Sequence, residues 1–266
     1  MPELPEVEHA ARRLRQAAQG RTITSVVALH PSLARLLTPA ACRSLKGRRI
    51  EEVNRRAKMQ LVTLDDGQVL EVHFRMTGDW AFGRNGDPAP PHERVRIACT
   101  DGTRISLTDG RALAVLRLHA PGKLRLPELG PEPLEATFSV DAFAAVLATR
   151  GAPIKPVLLD QKVVAGIGNI YAAEALWVAR IHPTRAAASL SRARVAALRD
   201  AISEVLHAAT PERYYAPVAA HNENAPADQE WRVYGREGES CSRCASVIRR
   251  ITQSGRSTFY CGGCQR

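Results

Sequence analysis

Cys241-Ser242-Arg243-Cys244 and, after sixteen intervening residues, Cys261-Gly262-Gly263-Cys264 form a pair of Cys-x2-Cys knuckles. This is the spacing of a four-thiolate zinc ribbon, in which each knuckle supplies two ligands and the residues between fold as two strands and a turn. Four thiolates fill a tetrahedral zinc, so one structural Zn2+ is expected on Cys241, Cys244, Cys261 and Cys264, with no position left for catalysis. Residues 240–266 carry five arginines and no acidic residue, so the hairpin presents Arg249, Arg250 and Arg256 as a phosphate-gripping finger. The other two cysteines, Cys42 and Cys99, stand apart in apolar surroundings and read as ordinary thiols.

The charge of the whole chain points the same way. Its 266 residues carry a formal net charge of +10, and 32 of the 37 basic residues are arginine. Arginine forks onto phosphates and base edges, so the partner expected is a polyanion such as nucleic acid. No run of eighteen apolar residues occurs, which argues against a membrane-spanning helix. The acidic start, Glu3, Glu6 and Glu8, lacks a basic-then-apolar leader pattern, so a cytoplasmic location is expected.

Upstream of the ribbon the hydrophobic period changes twice. Residues 5–19 predict an amphipathic helix through Val7, Ala11, Leu14 and Ala18, with Pro5 at its first position and Gly20 beyond its end. A strand-rich stretch follows, with hairpins around Asp65-Asp66-Gly67-Gln68 and Thr100-Asp101-Gly102-Thr103, and predicts a β-sandwich. Beyond Gly130-Pro131-Glu132-Pro133 the period becomes helical, with helices expected from Ser139, Ile154, Asn169 and Ser191. The fold class expected is α+β, in three domains: 1–130, 131–231 and 232–266.

Two further segments carry chemistry. Val163-Val164-Ala165-Gly166-Ile167-Gly168-Asn169 is a glycine turn ahead of a helix; Asn169 is placed to cap that helix, and free amides there would face a phosphate. No βαβ unit surrounds it, which argues against a dinucleotide fingerprint. At the other end, removal of Met1 would leave Pro2 with a free secondary amine. Condensed with a sugar aldehyde it gives a permanently cationic iminium, which withdraws electrons and lets a neighbouring C–O bond to phosphate break. Such an α-amine titrates near pKa ~8, and Glu3 beside it could move protons. The residues alone leave a second reading open, in which Glu3, Glu6 and Glu8 complement the positive end of the first helix.

Together, Pro2-Glu3-Leu4-Pro5-Glu6-Val7-Glu8, Gly166-Ile167-Gly168-Asn169-Ile170-Tyr171-Ala172, and the stretch from Val233 through Cys241 to Arg256–Cys264 resemble the formamidopyrimidine-DNA glycosylases, with endonuclease VIII as a sister group. The resemblance spans nearly the whole chain. It implies an N-terminal β-sandwich preceded by a helix, a helix–two-turn–helix domain, a zinc-ribbon hairpin, and damaged double-stranded DNA lying across the cleft, bound by a monomer. Its activity would be base-excision repair by a bifunctional glycosylase and abasic-site lyase acting by β,δ-elimination. Position by position, Pro2 matches the Schiff-base nucleophile and Glu3 the general acid/base. Glu6 matches an acid that helps position the sugar, and Lys58 a strand lysine at the sugar-phosphate. Lys155 matches a loop lysine near DNA, while Asn169 and Arg256 match phosphate contacts. Met76 matches the void-filling methionine, Arg111 the reader of the opposite base, and His92 a DNA-contacting histidine.

The chain also departs from the family pattern. Leu113, within Thr108-Asp109-Gly110-Arg111-Ala112-Leu113-Ala114, replaces a phenylalanine wedge, although leucine can still intercalate. Arg94 stands where a second histidine is usual. Residues 212–231 lack the glycine/threonine-rich loop and carry Tyr214, Tyr215, His221 and Asn222 instead. Two alternatives accordingly stand beside the main reading: an enzyme preferring oxidised pyrimidines, and a catalytically silent protein that binds damaged DNA.

Overall fold

The computed structural model describes residues 1–209 and 231–266. The chain divides into two compact units, Met1–Pro127 and Glu128–Arg266. The altered stretch with Tyr214, Tyr215, His221 and Asn222 lies outside the described residues.

The first unit opens with helix α1, Leu4–Ala18, one residue upstream of the predicted span. Its buried face is Leu4, Val7, Ala10, Ala11, Leu14 and Ala18, the spacing read from the sequence. After β1 (Ile23–Ala28) and two short helices, α2 (Pro31–Ala34) and α3 (Pro39–Ser44), come β2 (Ile50–Arg56), β3 (Met59–Leu64), β4 (Val69–His73), β5 (Gly78–Arg84), β6 (Glu93–Cys99), β7 (Thr103–Asp109) and β8 (Val115–His119). They form two four-stranded antiparallel sheets, β1-β6-β7-β5 and β2-β3-β4-β8. Both expected hairpins are present, as β3–β4 and β6–β7. Inward residues of the two sheets, among them Val53, Val62, Val72, Val95, Ile105 and Leu107, share one core with α1. That is the β-sandwich.

In the second unit Ser139 and Ser191 are N-caps, as their positions ahead of apolar periods predict, of α4 (Val140–Ala148) and α7 (Arg192–His207). Between them lie α5 (Ile154–Leu159) and α6 (Asn169–Val178). Strands β9 (Ile248–Gln253) and β10 (Arg256–Cys261) make the ribbon, joined by Ser254 and Gly255 with φ of 48° and 72°. Two successive positive φ values make the tight turn that suits the strands' twist, and Arg256 sits directly after it. The ribbon packs on α6 through Trp177, Ala173, Val233 and Ile248, so helices and ribbon make one compact unit.

Candidate active site, phosphate contacts and metal centre

Glu3 is the N-cap of α1, and Glu6, three residues on, accepts its backbone N–H at 2.6 Å. Glu6 thereby steadies the peptide that carries Pro2 and Glu3, while its charge complements the helix start. Glu3 is only 2% exposed, so its carboxyl is withdrawn from bulk water. One turn along α1, Glu8 accepts from Arg55 Nε at 2.9 Å, and Arg55 Nη1 donates to the Ala57 carbonyl at 2.9 Å. This chain of contacts ties α1 to the turn between β2 and β3. Burial pushes the Glu8 carboxyl up, but Arg55 and Arg12 outweigh it and hold it below its usual range.

Lys58 sits in that turn, not on a strand as the resemblance implies, because Ala57 takes a left-handed φ of 51° and forms with Lys58 the two-residue turn between the paired Arg56 and Met59. Its side chain is buried. Beside it lies a residue that the sequence reading overlooked. His73 ends β4 and pairs across from Met59. Burial, Arg75 and Lys58 press its pKa down to about 4, so the imidazole is neutral at neutral pH. Its Nδ1 accepts the Arg75 N–H at 3.0 Å, leaving the other ring nitrogen as the protonated one. The hairpin turn at residues 65–68 fixes this register, so counting outward from it would have found His73.

Met76, at 39% exposed, and Leu113, at 45%, are two of the few large apolar side chains left in solvent. Arg111 and His92 are exposed as well. The backbones beneath them are left-handed at Arg75, His92 and Ala112.

The structure gathers Lys155, Asn169 and Arg256. The resemblance placed Lys155 in a loop near DNA; it lies instead on α5, 1% exposed, with Nζ donating to Asn169 Oδ1 at 2.6 Å, Thr258 Oγ1 at 2.8 Å and the Ser257 carbonyl at 3.0 Å. Asn169 does not cap α6. Gly168 takes that position, because the Asn169 side chain is engaged with Lys155 and, through Nδ2, with the Ser257 carbonyl at 3.0 Å. The result ties the start of α6 to the strand residue next to Arg256, whose guanidinium is exposed at the hairpin tip. Glu174, a second residue that carried no sequence signal beyond its helix position, is buried and accepts the N–H groups of Arg232, Val233 and Tyr234 at 2.9, 3.0 and 2.9 Å. It anchors the chain as it enters the ribbon.

The four ribbon thiols lie within 4.8 Å of one another, with Cys241–Cys264 at 3.9 Å and Cys244–Cys261 at 3.3 Å. A tetrahedral zinc with Zn–S bonds of ~2.3 Å needs sulfurs about 3.8 Å apart, so the set fits the ion. Cys241 also accepts the Trp177 indole N–H at 3.3 Å and the Arg243 N–H at 3.4 Å, donors that favour a thiolate. Arg243 and Arg232 both lie over the Trp177 ring, 3.7 and 5.3 Å from its centroid.

Comparison with known proteins gives a consistent result. Residues 1–116 match the formamidopyrimidine-DNA glycosylase N-terminal domain, 129–213 the H2TH domain of the same enzymes, and 238–266 a zinc finger found in FPG and IleRS. Formamidopyrimidine-DNA glycosylases of Chloroflexus aurantiacus and Sphingopyxis alaskensis are each 40% identical, covering 100% of this chain and 98% and 100% of theirs. The Lactococcus lactis formamidopyrimidine-DNA glycosylase bound to DNA containing an AP site superimposes with a TM-score of 0.88 at 31% identity, covering 99% of both chains. A MutM complex with DNA containing carbocyclic 8-oxo-G gives 0.89 at 32% identity, covering 100% of both. On the strength of its domains, its relatives and its fold, this chain belongs to the formamidopyrimidine-DNA glycosylase family.

Proposed function

We propose that this protein is a zinc-containing base-excision repair enzyme, a DNA glycosylase and abasic-site lyase, that removes oxidised or ring-opened bases with Pro2 as nucleophile. The observation that carries this reading is the Pro2-Glu3 peptide at the start of α1, with Glu3 buried and its backbone held by Glu6. With Met1 removed, the Pro2 nitrogen donates its lone pair to C1′ of the deoxyribose. The glycosidic bond breaks and the base leaves with a proton supplied by Glu3. Pro2 gives up its N–H proton to Glu3, which passes it to O4′ as the C1′–O4′ bond opens, leaving an iminium that acidifies the C2′ hydrogen. Loss of that proton expels the 3′ phosphate, and a second elimination expels the 5′ phosphate. Water then releases the sugar fragment and regenerates the amine.

Lys58 grips the sugar-phosphate, and His73, held neutral by burial and in part by Lys58, adds no second cation there. Arg256 and Asn169 take phosphates through charge and amide N–H groups, and Lys155 serves by fixing Asn169. Met76 and Leu113 fill the gap left by an everted nucleotide and Arg111 reads the base opposite. His92 completes the exposed set. Zinc holds the ribbon that carries Arg256; its role is structural. The protein works as a monomer in the cytoplasm. Among the described residues no helix is long and apolar enough to cross a membrane.

Borohydride reduction during incubation with abasic-site duplex tests the covalent step. The wild type should give a cross-linked species, Pro2→Gly should give none, and Lys58→Ala should still cross-link. No adduct from the wild type would leave only the silent DNA-binding reading. Leu113 in the wedge position favours a lesion range shifted toward oxidised pyrimidines, since a leucine stacks less on neighbouring bases than an aromatic ring does.

A further inference from the structure

Asp109, the last residue of β7, is 1% exposed, and its side chain does more than end a strand. One carboxylate oxygen accepts from the Thr77 hydroxyl and from the Arg111 N–H at 3.1 Å; the other accepts from the Leu113 and Ala114 N–H groups at 2.6 and 2.7 Å. The Thr77 hydroxyl in turn accepts the Arg111 N–H at 3.2 Å. The Asp109 backbone N–H donates to the His92 carbonyl at 3.0 Å. Its own carbonyl receives Arg94 Nε at 2.7 Å, and Arg94 Nη2 reaches the Gly110 carbonyl at 3.5 Å. A single residue therefore holds the loops bearing Met76, His92 and Arg111–Leu113.

Each of these loops contains a left-handed residue that is not glycine: Arg75 at 57°, His92 at 58° and Ala112 at 53°. Such values persist only where surrounding contacts impose them. The first loop is also drawn tight at its base, where a Cβ on Gly78 would lie 2.8 Å from the Phe74 carbonyl oxygen. Burial pushes the Asp109 carboxyl up, but Thr77 and the amides of Ala114, Arg111 and Leu113 more than offset it, so the group stays charged.

We propose that Asp109 and Arg94 form a clamp that presets the backbones of Met76, Arg111 and Leu113 as one wedge, making both of them positioning residues for damage recognition. This rests on the function proposed above and deepens it. Side chains that must enter a base stack are exposed, while their backbones are already ordered, so little conformational entropy remains to be lost on insertion. Arg94 gives this chain a charged hold on the Asp109–Gly110 carbonyls at a position where the family usually carries a histidine. The rigid seat suits a leucine wedge, which has less stacking of its own to guide it into place.

The test uses the zinc-loaded full chain with Arg94→Ala and Asp109→Asn. Duplexes carry 2-aminopurine beside an oxidised base, or an abasic site for borohydride trapping. The wild type should brighten 2-aminopurine on binding, as the wedge unstacks it. Both variants should lose most of that signal, and their discrimination between bases opposite the lesion should fall on the order of tenfold or more, the scale of an ångström-level misplacement. Trapping at an abasic site, where no base has to leave the stack, should fall far less than excision does. Arg94 is on the surface side of β6, so its variant keeps the fold if Asp109→Asn does not. The clamp is overturned if 2-aminopurine brightens equally in all three proteins, or if trapping and excision fall together. The fluorescence needs binding alone, so it decides the clamp even where a wild type that fails to trap has refuted the lyase.

Discussion

Lys155 shows how far a residue type can mislead about its place. A lysine in a basic, DNA-binding chain reads as surface charge, yet this one is buried with three oxygen acceptors around Nζ. Burying an amine without partners would be costly, so the acceptors explain how the fold tolerates it. Replacing it by methionine keeps most of the volume and strands the acceptors. Hydrogen bonds to a charged group contribute ~1.5–3 kcal/mol, so Lys155→Met should lower stability in urea unfolding by about 2 kcal/mol and weaken DNA binding through a misplaced Asn169. Unchanged stability with reduced binding would instead return Lys155 to a direct phosphate contact. The cap expected of Asn169 does not form: the capping preference of asparagine is local, and Lys155 and Ser257, distant in sequence, outcompete it. The four cysteines were legible because metal ligation depends on identity and spacing alone, whereas Pro2 and Glu3 drew their roles from the family resemblance.

The elements were read best where a turn or cap is coded locally. The β3–β4 and β6–β7 hairpins, the Ser139 and Ser191 caps and the apolar face of α1 follow from short patterns. Strands such as β1, β5 and β8 did not, because their partners, β6, β7 and β4, are set by long-range pairing. The ribbon is the element whose stability depends most on a single bond set. Its small core of Trp177, Val233, Cys241, Ile248 and Cys261 is too slight to hold a hairpin alone, so the zinc–thiolate bonds supply much of its folding energy. Chelation should expose four reactive thiols, change the emission of Trp177 as its hydrogen bond to Cys241 is lost, and abolish binding to duplex DNA, with β3–β4 amide protection left intact. Full DNA affinity after zinc removal would contradict the ribbon's role. Both signals can be followed in one titration, thiol colour and tryptophan emission together.

At the scale of the molecule, net charge and an arginine-dominated basic set named the partner class before any fold was known, because steering by charge needs no particular topology. Composition could not say where that charge would act. In the structure Arg256 at the ribbon tip and Arg111 beside Leu113 are among the exposed arginines, while Arg55, Arg94 and Arg243 are spent on holding the protein together. The reaction itself rests on one nitrogen. Tandem mass spectrometry of the borohydride-reduced protein–DNA adduct tests it most directly. The expected result is a mature chain without Met1, carrying the reduced deoxyribose on Pro2. Met1 retained in fully active protein, or the sugar found on Lys58, would contradict it.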